Sequence, residues 1–406
     1  MSRESRSKIR LKTIPTAWMQ ATPTVAAIFA ILLGAGATFA QENRSRAFGP
    51  GHCGPADQSY VQVASATGGQ VLPLGPNEVA TAAPLMSASS GAETLLWMTS
   101  TLTPNGHVIK VPVDGVTARV SFIASTEGSL ADMVVMDPRG TQVGAGMPGV
   151  EALVFACVRA VTVDKPATGE WSVRVSGTGT YWLTAHVKSE LALEDTAFVQ
   201  VAGRPGHEGL FKIQGQPRAG RPATLRARIT REQITDAKFD LVSMTGAALQ
   251  SLALSPVSPA QSEDEYVGDI PRLPTVPFRV RVSGRDHTGA AYQRISRAAF
   301  QAATVEILTP SAFALMRGQQ TPVKVRIRND GAAVQLKVVA VANASVLRVE
   351  PATLQLAANE SREVTILIDP PQSASSSEDV IITAESSGDP AASNSAIVRG
   401  EIDSGR

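Results

Sequence analysis

Five histidines, two cysteines and one run of three adjacent acids are the residues of this 406-residue chain best suited to chemistry. His52, His107, His186, His207 and His287 are scattered, which argues against a His-built metal site. The His-Glu-Gly at 207–209 lacks the second His, four residues on, that the HExxH zinc signature needs. His107 (NGHV) and His287 (RDHTG) stand in turn sequences and read as solvated polar groups. No GxSxG elbow occurs, and the runs SSGAE, SGTGT and SSGDP are turn-like, with no serine paired to a histidine on a nearby element. Glu263, Asp264 and Glu265 would hold Ca²⁺ only with help from carbonyls. Their spacing matches no loop of known ligand geometry, so a solvated loop is the preferred reading. Asn329-Asp330-Gly331 holds a single acid and reads as a turn. The expectation is a non-enzyme with no catalytic residue, no metal and no cofactor.

Other residue types point to binding. Arg226, Arg228, Arg231, Arg279, Arg281 and Arg285 would form a basic face able to attract an anionic glycan or a membrane surface. The plainer reading is a solvent face whose arginines cover the sheet and pair with local acids. Tyr181 and Trp182 are sugar-stacking candidates. Trp171 is in phase with Val173 and Val175 and is expected in a core. Cys53 and Cys157 are the only pair available for a disulfide. Either they bridge, tying the N-terminal segment to the first β-domain, or they are two thiols, with Cys157 buried in a strand. Asn43, Asn343 and Asn359 begin N-x-Ser sequons.

Composition narrows the setting in which these residues work. With 43% apolar and 18% charged residues the chain is globular. Aromatics at 5%, with 33 Gly and 26 Pro, suit small β-domains better than a large enzyme core. A net charge of +1 excludes a chain built to bind nucleic acid. Residues 1–12 carry Arg3, Arg6, Lys8, Arg10 and Lys12 against Glu4; an apolar run Val25 to Leu33 and a small-residue stretch GAGATFA follow. That order is a secretory signal, with cleavage expected after Ala40 and an uncleaved anchor as the alternative. Without residues 1–40 the chain has 37 − 5 = 32 basic and 36 − 1 = 35 acidic side chains, a net of −3. Membrane contact is expected only through that segment.

The elements that must position the candidates are strands. In residues 41–105, Tyr60, Val63 and Ala64 share a helical face, Gly68-Gly69 ends the helix, QVLPL reads as a short strand, and LLWMTS is a short apolar run. The piece is too small for a core of its own. From 106 the pattern has period two: VIKVPVD, ARVSFIAS, DMVVMDP, ALVFACVRAV, EWSVRVSG and TYWLTAHV, with DPRG, KPATGE and SGTGT as turns. A second cycle runs over 196–303 and a third over 304–406. In the second, Phe278, Val280 and Val282 alternate with Arg279 and Arg281, which predicts one buried and one wet face. Short strands with no intervening helix predict antiparallel sandwiches.

Several of these stretches resemble a known arrangement. DQSYVQVASATGGQVLPLGPNEV resembles the closing helix and strand of a von Willebrand factor A domain. The sequence after it, through MDPRGT and VDKPATGEWSVRVSGTGTYWLTAHV with its Pro166, Gly169 and Trp171 step, is similar to the galactose-binding-like sandwich of hemicentin-type proteins. PFRVRVSGRDHTGAAYQRISRAAF resembles the Ig-like domain that follows there, and 304–406 resembles Ig-like or fibronectin III-like domains. The resemblance covers about residues 53–303 and implies matrix-like or cell-surface interaction. The Asp-x-Ser-x-Ser loop through which an A domain binds metal has no counterpart between the signal and Cys53, so metal-dependent adhesion is not implied.

The expected organisation is a signal peptide (1–40), a truncated A-type C-terminal segment or linker (41–105), a galactose-binding-like β-sandwich (106–195), an Ig-like domain (196–303) and an Ig-like or fibronectin III-like domain (304–406). The expected function is non-catalytic: secreted or cell-surface binding, adhesion or spacing, with an extracellular protein or glycan as partner. The rival is a carbohydrate-binding module acting through the first sandwich.

Overall fold

Alternation of apolar and polar residues with Gly-rich turns and almost no helix-length periodicity leaves strand pairing as the way to satisfy the backbone. A computed structural model describes residues 53–89, 92–202, 208–230, 233–257, 264–310, 312–342, 346–374 and 376–403. The signal segment, His52, His207, Arg231, Glu263, Asn43 and Asn343 lie outside the described residues. The molecule is all-β, built from tandem antiparallel sandwiches.

The long strand Gly169–Ser189 organises the first sandwich. Its first half pairs with His107–Val113 and Ser129–Met136. Its second half pairs with Glu93–Leu102 and Thr117–Thr126, and the latter pairs in turn with Val158–Asp164. SGTGT, read above as a turn, is therefore the middle of one strand. Gly179 sits at φ +88°, and a Cβ there would come within 2.8 Å of the Gly128 backbone. Glycine lets the strand bend and pass from one sheet to the other without breaking. The shared core holds Phe122, Trp171, Val173, Val175 and Tyr181.

Two further corrections concern residues 53–105. Glu93–Leu102, which contains LLWMTS, is a strand of the first sandwich and not part of a separate linker. QVLPL forms no strand. Its partners are side chains: Ser125 Oγ donates to Val71 O, and Gln70 reaches Ile123 O and Ser125 Oγ. Helix Gln58–Thr67 is capped by Asp57 and ended by Gly68 in the left-handed region, as the Gly-Gly predicts. It and helix Ala83–Ser89 lie on the outer face of the sandwich, where Leu85 and Ala88 bury against Ile123 and Val158.

In the second cycle a sheet of Gly209–Lys212, Leu193–Ala202, Ala223–Ile229, Glu265–Ile270 and Ser255–Pro256 faces one of Ala248–Leu252, Lys238–Ser243, Phe278–Arg285 and Ala291–Ile295. Phe198, Leu225, Phe239, Tyr266, Phe278 and Tyr292 fill the space between them. In the third, Val305–Leu308, Thr321–Asn329, Ser361–Ile368 and Val346–Glu350 face Phe313–Met316, Asn394–Asp403, Ser377–Glu385, Val334–Val341 and Thr353–Leu356. Phe313–Met316 joins Asn394–Asp403 in parallel, unlike its antiparallel neighbours.

Candidate binding site

The arginine-bearing face of the second sandwich is wet only in part: Arg285 is exposed and Arg281 half-buried. Arg279 is fully buried. Its guanidinium lies 4.3 Å from the Trp97 ring centre and donates to the carbonyls of Ser65, Ser296 and Arg297. Burial pushes its pKa down to about 9, which leaves it charged at neutral pH. The alternation of Phe278, Val280 and Val282 with arginine is real, but at Arg279 both faces are covered: one by the facing sheet, the other by the first sandwich and its helix. The remaining arginines with described side chains find local partners. Arg226 pairs with Asp195, Arg228 with Glu194 and Arg281 with Asp240, and Arg285 donates to Gly289 O. No free basic face results from these residues.

The same interface holds a buried ion pair. Arg294 Nη1 donates to Asp114 Oδ2 at 2.7 Å with both side chains fully buried. Arg294 Nε donates to Leu191 O and Nη2 to Ser189 Oγ, while Asp114 accepts from Thr117. Beside it, Asp286 accepts from the Gly115 amide at 2.7 Å. Burial alone would raise the Asp286 pKa. Hydrogen bonds from Thr288, Gly115 and Ala290 outweigh that and hold it below the usual range. The first two sandwiches are thus joined by a hydrogen-bonded, buried ion pair and the Asp286–Gly115 contact.

The other candidates are also accounted for. Tyr181 and Trp182 are both buried. Tyr181 OH lies 3.1 Å from His107 Nδ1, and burial pushes its pKa up to about 12. Trp182 packs with Trp97 and Val71 beneath helix Gln58–Thr67. Neither ring has a face on which a sugar would stack, which corrects the stacking expectation. Trp171 is in the core and donates to Ala167 O. His107 opens a strand and meets Tyr181, while His287 is exposed. Of the acid run, Glu265 lies in a strand opposite Arg228, and the Asp264 carbonyl accepts from Ile229. Among the described residues no group of three metal-ligating side chains is brought together. Cys53 and Cys157 form a disulfide with Cα atoms 5.9 Å apart, closing 104 residues. No helix among the described residues is long and apolar enough to cross a membrane.

A cleft between the second and third sandwiches was not anticipated. Its volume is about 560 Å³, and Gln200, Val201, Gln214, Arg218, Leu308 and Thr309 are among its lining residues. Arg218 holds one wall: its Nε donates to Asp330 Oδ2 at 2.8 Å, and its Nη1 lies 3.4 Å from Glu306. Asn394 holds another, accepting from the Gln216 amide at 2.8 Å and donating to Val305 O at 2.8 Å. Val305–Leu308, a terminal strand, lines the opening, and Gly209–Lys212, terminal in its own sheet, pairs with the lining strand Leu193–Ala202. Val201 is 74% exposed, Leu308 44%, and Phe211, in register with Gln200, 50%. The sequence signal was Asp330, read only as part of a turn. Its ion-pair partner Arg218 stands 112 residues earlier.

Comparison with known proteins touches the third sandwich. Residues 304–399 match the family model of the VWA7 Ig-like domain. No curated protein matches the chain. Among solved structures, the PapD-like domain 7 of human CEP192 is similar at 13% identity and a TM-score of 0.20, covering 26% of this chain and 88% of that one. Salmonella alpha-2-macroglobulin, in a structure of its Y1175G mutant, is similar at 10% identity and a TM-score of 0.24, covering 75% and 23%. A tetra-tandem repeat from the extending region of a large adhesion protein is similar at 13% identity and a TM-score of 0.18, covering 76% and 74%.

Proposed function

We propose that this is a secreted or cell-surface, non-catalytic protein that binds an extracellular protein partner through the cleft between its second and third sandwiches. The observation that carries the reading is the rim of that cleft. Two of its apolar lining residues, Val201 and Leu308, stand exposed, the latter on a terminal strand, above a floor of amides and an arginine. Exposed apolar residues gathered at a concave site mark an interaction surface. Unpaired strand edges offer main-chain donors and acceptors to an added segment. The Ig-like third sandwich fits this role, and the motif resemblance of residues 53–303 to hemicentin-type proteins read from the sequence is consistent with it. The buried ion pair and the disulfide give the first two sandwiches the part of a rigid mount.

The test is binding of the purified chain to extracellular protein fractions and to a glycan array, with and without EDTA. Saturable, EDTA-insensitive binding to protein supports the reading. Binding to glycans alone would overturn it and return a carbohydrate-binding module. Binding that EDTA removes would implicate a metal instead.

A further inference from the structure

A second cavity, of about 350 Å³, lies where the N-terminal helices, the first sandwich and the second sandwich meet. Its floor is polar. His186, on strand Gly169–Ser189, has Thr94 and Ser121 as its cross-strand neighbours. All three are buried, with His186 at 6% exposure. Ser121 is satisfied by Thr162 Oγ1. The His186 imidazole makes no hydrogen bond among the described residues, and its Nδ1 is sealed and unpaired. Burying a polar group without a partner is unfavourable.

The walls are of two kinds. Leu72, Met86 and Ile123 are apolar, while Thr67, Ser89 and Arg297 carry donors. Arg297 commits its Nη2 to Ala92 O and Glu93 Oε1. Its Nε and Nη1 make no hydrogen bond among the described residues. Gly68 touches the Arg297 backbone so closely that a Cβ there would collide with it, which seats that backbone over the Thr67–Gln70 turn and leaves the side chain 57% exposed at the cavity. Burial first, and Arg297 second, hold the His186 pKa down to about 4. At neutral pH the ring is therefore uncharged, with one N–H to give. The cavity thus combines a half-exposed arginine, paired with Glu93 on one side and with Nη1 uncommitted on the other, a buried imidazole and an apolar wall, in a volume typical of small-molecule sites.

We propose that this cavity binds a small organic carboxylate with a short apolar tail. The guanidinium takes the carboxylate through the Nη1 hydrogens that Ala92 and Glu93 leave free, as a charge-assisted hydrogen bond. His186 and the hydroxyl of Thr94 or Ser89 complete the polar end, and the tail lies against Leu72, Met86 and Ile123. The site is distinct from the cleft between the second and third sandwiches and does not rest on the function proposed there.

The experiment titrates the full chain, carrying ¹⁵N-labelled histidine, with hexanoate, its shorter and longer straight-chain homologues, and hexanol as the neutral control, and follows the His186 ring nitrogens by NMR. The expected result is a saturable shift of the His186 resonances with hexanoate. Hexanol and the Arg297→Gln variant should each bind about tenfold more weakly or worse, the loss that follows when a charged hydrogen bond is removed. Should Arg297→Gln misfold, Met86→Glu, at an exposed position, places a repelling charge on the wall and is expected to weaken hexanoate similarly. The proposal is overturned if no homologue moves His186 at millimolar concentration, which would leave the cavity to water. Equal binding of hexanol and hexanoate, or undiminished binding by a folded variant, would also overturn it.

Discussion

Two buried residues decide how the first and second sandwiches hold together. Asp114 and Arg294 are 180 residues apart, fully buried, and satisfied on every side by Thr117, Ser189 and the Leu191 carbonyl. Removing one partner strands the other charge away from water. Asp114→Ala is therefore expected to lower the unfolding free energy by about 3–5 kcal/mol, while Asp114→Leu with Arg294→Met recovers most of it. Urea unfolding of the three proteins checks this, and equal losses in the single and double variants would count against the pair. His186 makes a pH prediction. Its pKa is about 4 folded and 6.5 as an ordinary value, so the unfolded chain binds the extra proton below pH 6.5. Its share of stability is complete above pH 6.5 and is lost as the pH falls towards 4, by roughly 3 kcal/mol in all. A His186→Gln variant should show a flatter stability profile across that window.

At the scale of elements, the period-two runs are legible because each strand's alternation is local. Thr321–Asn329 buries Val323, Val325 and Ile327 while Lys324 and Arg326 stay out, as alternation requires. What is not legible is what covers the other face. Arg279 alternates correctly yet is buried, because its cover of Trp97 and the Ser65 carbonyl lies about 200 residues away in sequence. SGTGT misleads for a related reason: glycine marks a bend as readily as a turn, and only the strands on either side distinguish them. That bend carries its own prediction. Gly179→Ala requires a Cβ at positive φ and 2.8 Å from Gly128, so it is expected to cost about 1–3 kcal/mol. A thermal melt checks it, and an unchanged midpoint would show that the strand relaxes there.

Over the whole molecule, covalent and ionic ties fix the N-terminal segment and the first two sandwiches as one mount. The disulfide closes a 104-residue loop, worth roughly 4–5 kcal/mol on the chain-entropy account. Reduction is expected to lower the urea midpoint and to open residues 53–89 to protease before the third sandwich. Simultaneous cleavage throughout would contradict that order. The sequence showed which two cysteines could pair but left open whether they do; the bridge forms because the fold brings their Cα atoms to 5.9 Å. The binding cleft was not legible in the sequence, since its walls come from the 198–224, 306–309 and 394–395 stretches, and no local pattern brings those together.

The central claim is that the cleft between the second and third sandwiches is the binding surface. Its most direct test is a binding curve for the purified chain against an extracellular protein fraction, compared with a Val201→Glu, Leu308→Glu variant whose fold is verified by circular dichroism. Both positions are exposed, so the fold is expected to survive. The account predicts saturable binding by the parent chain and at least a tenfold loss in the variant, about 1.4 kcal/mol or more. Identical curves for the two proteins would contradict it and move the binding surface elsewhere on the molecule.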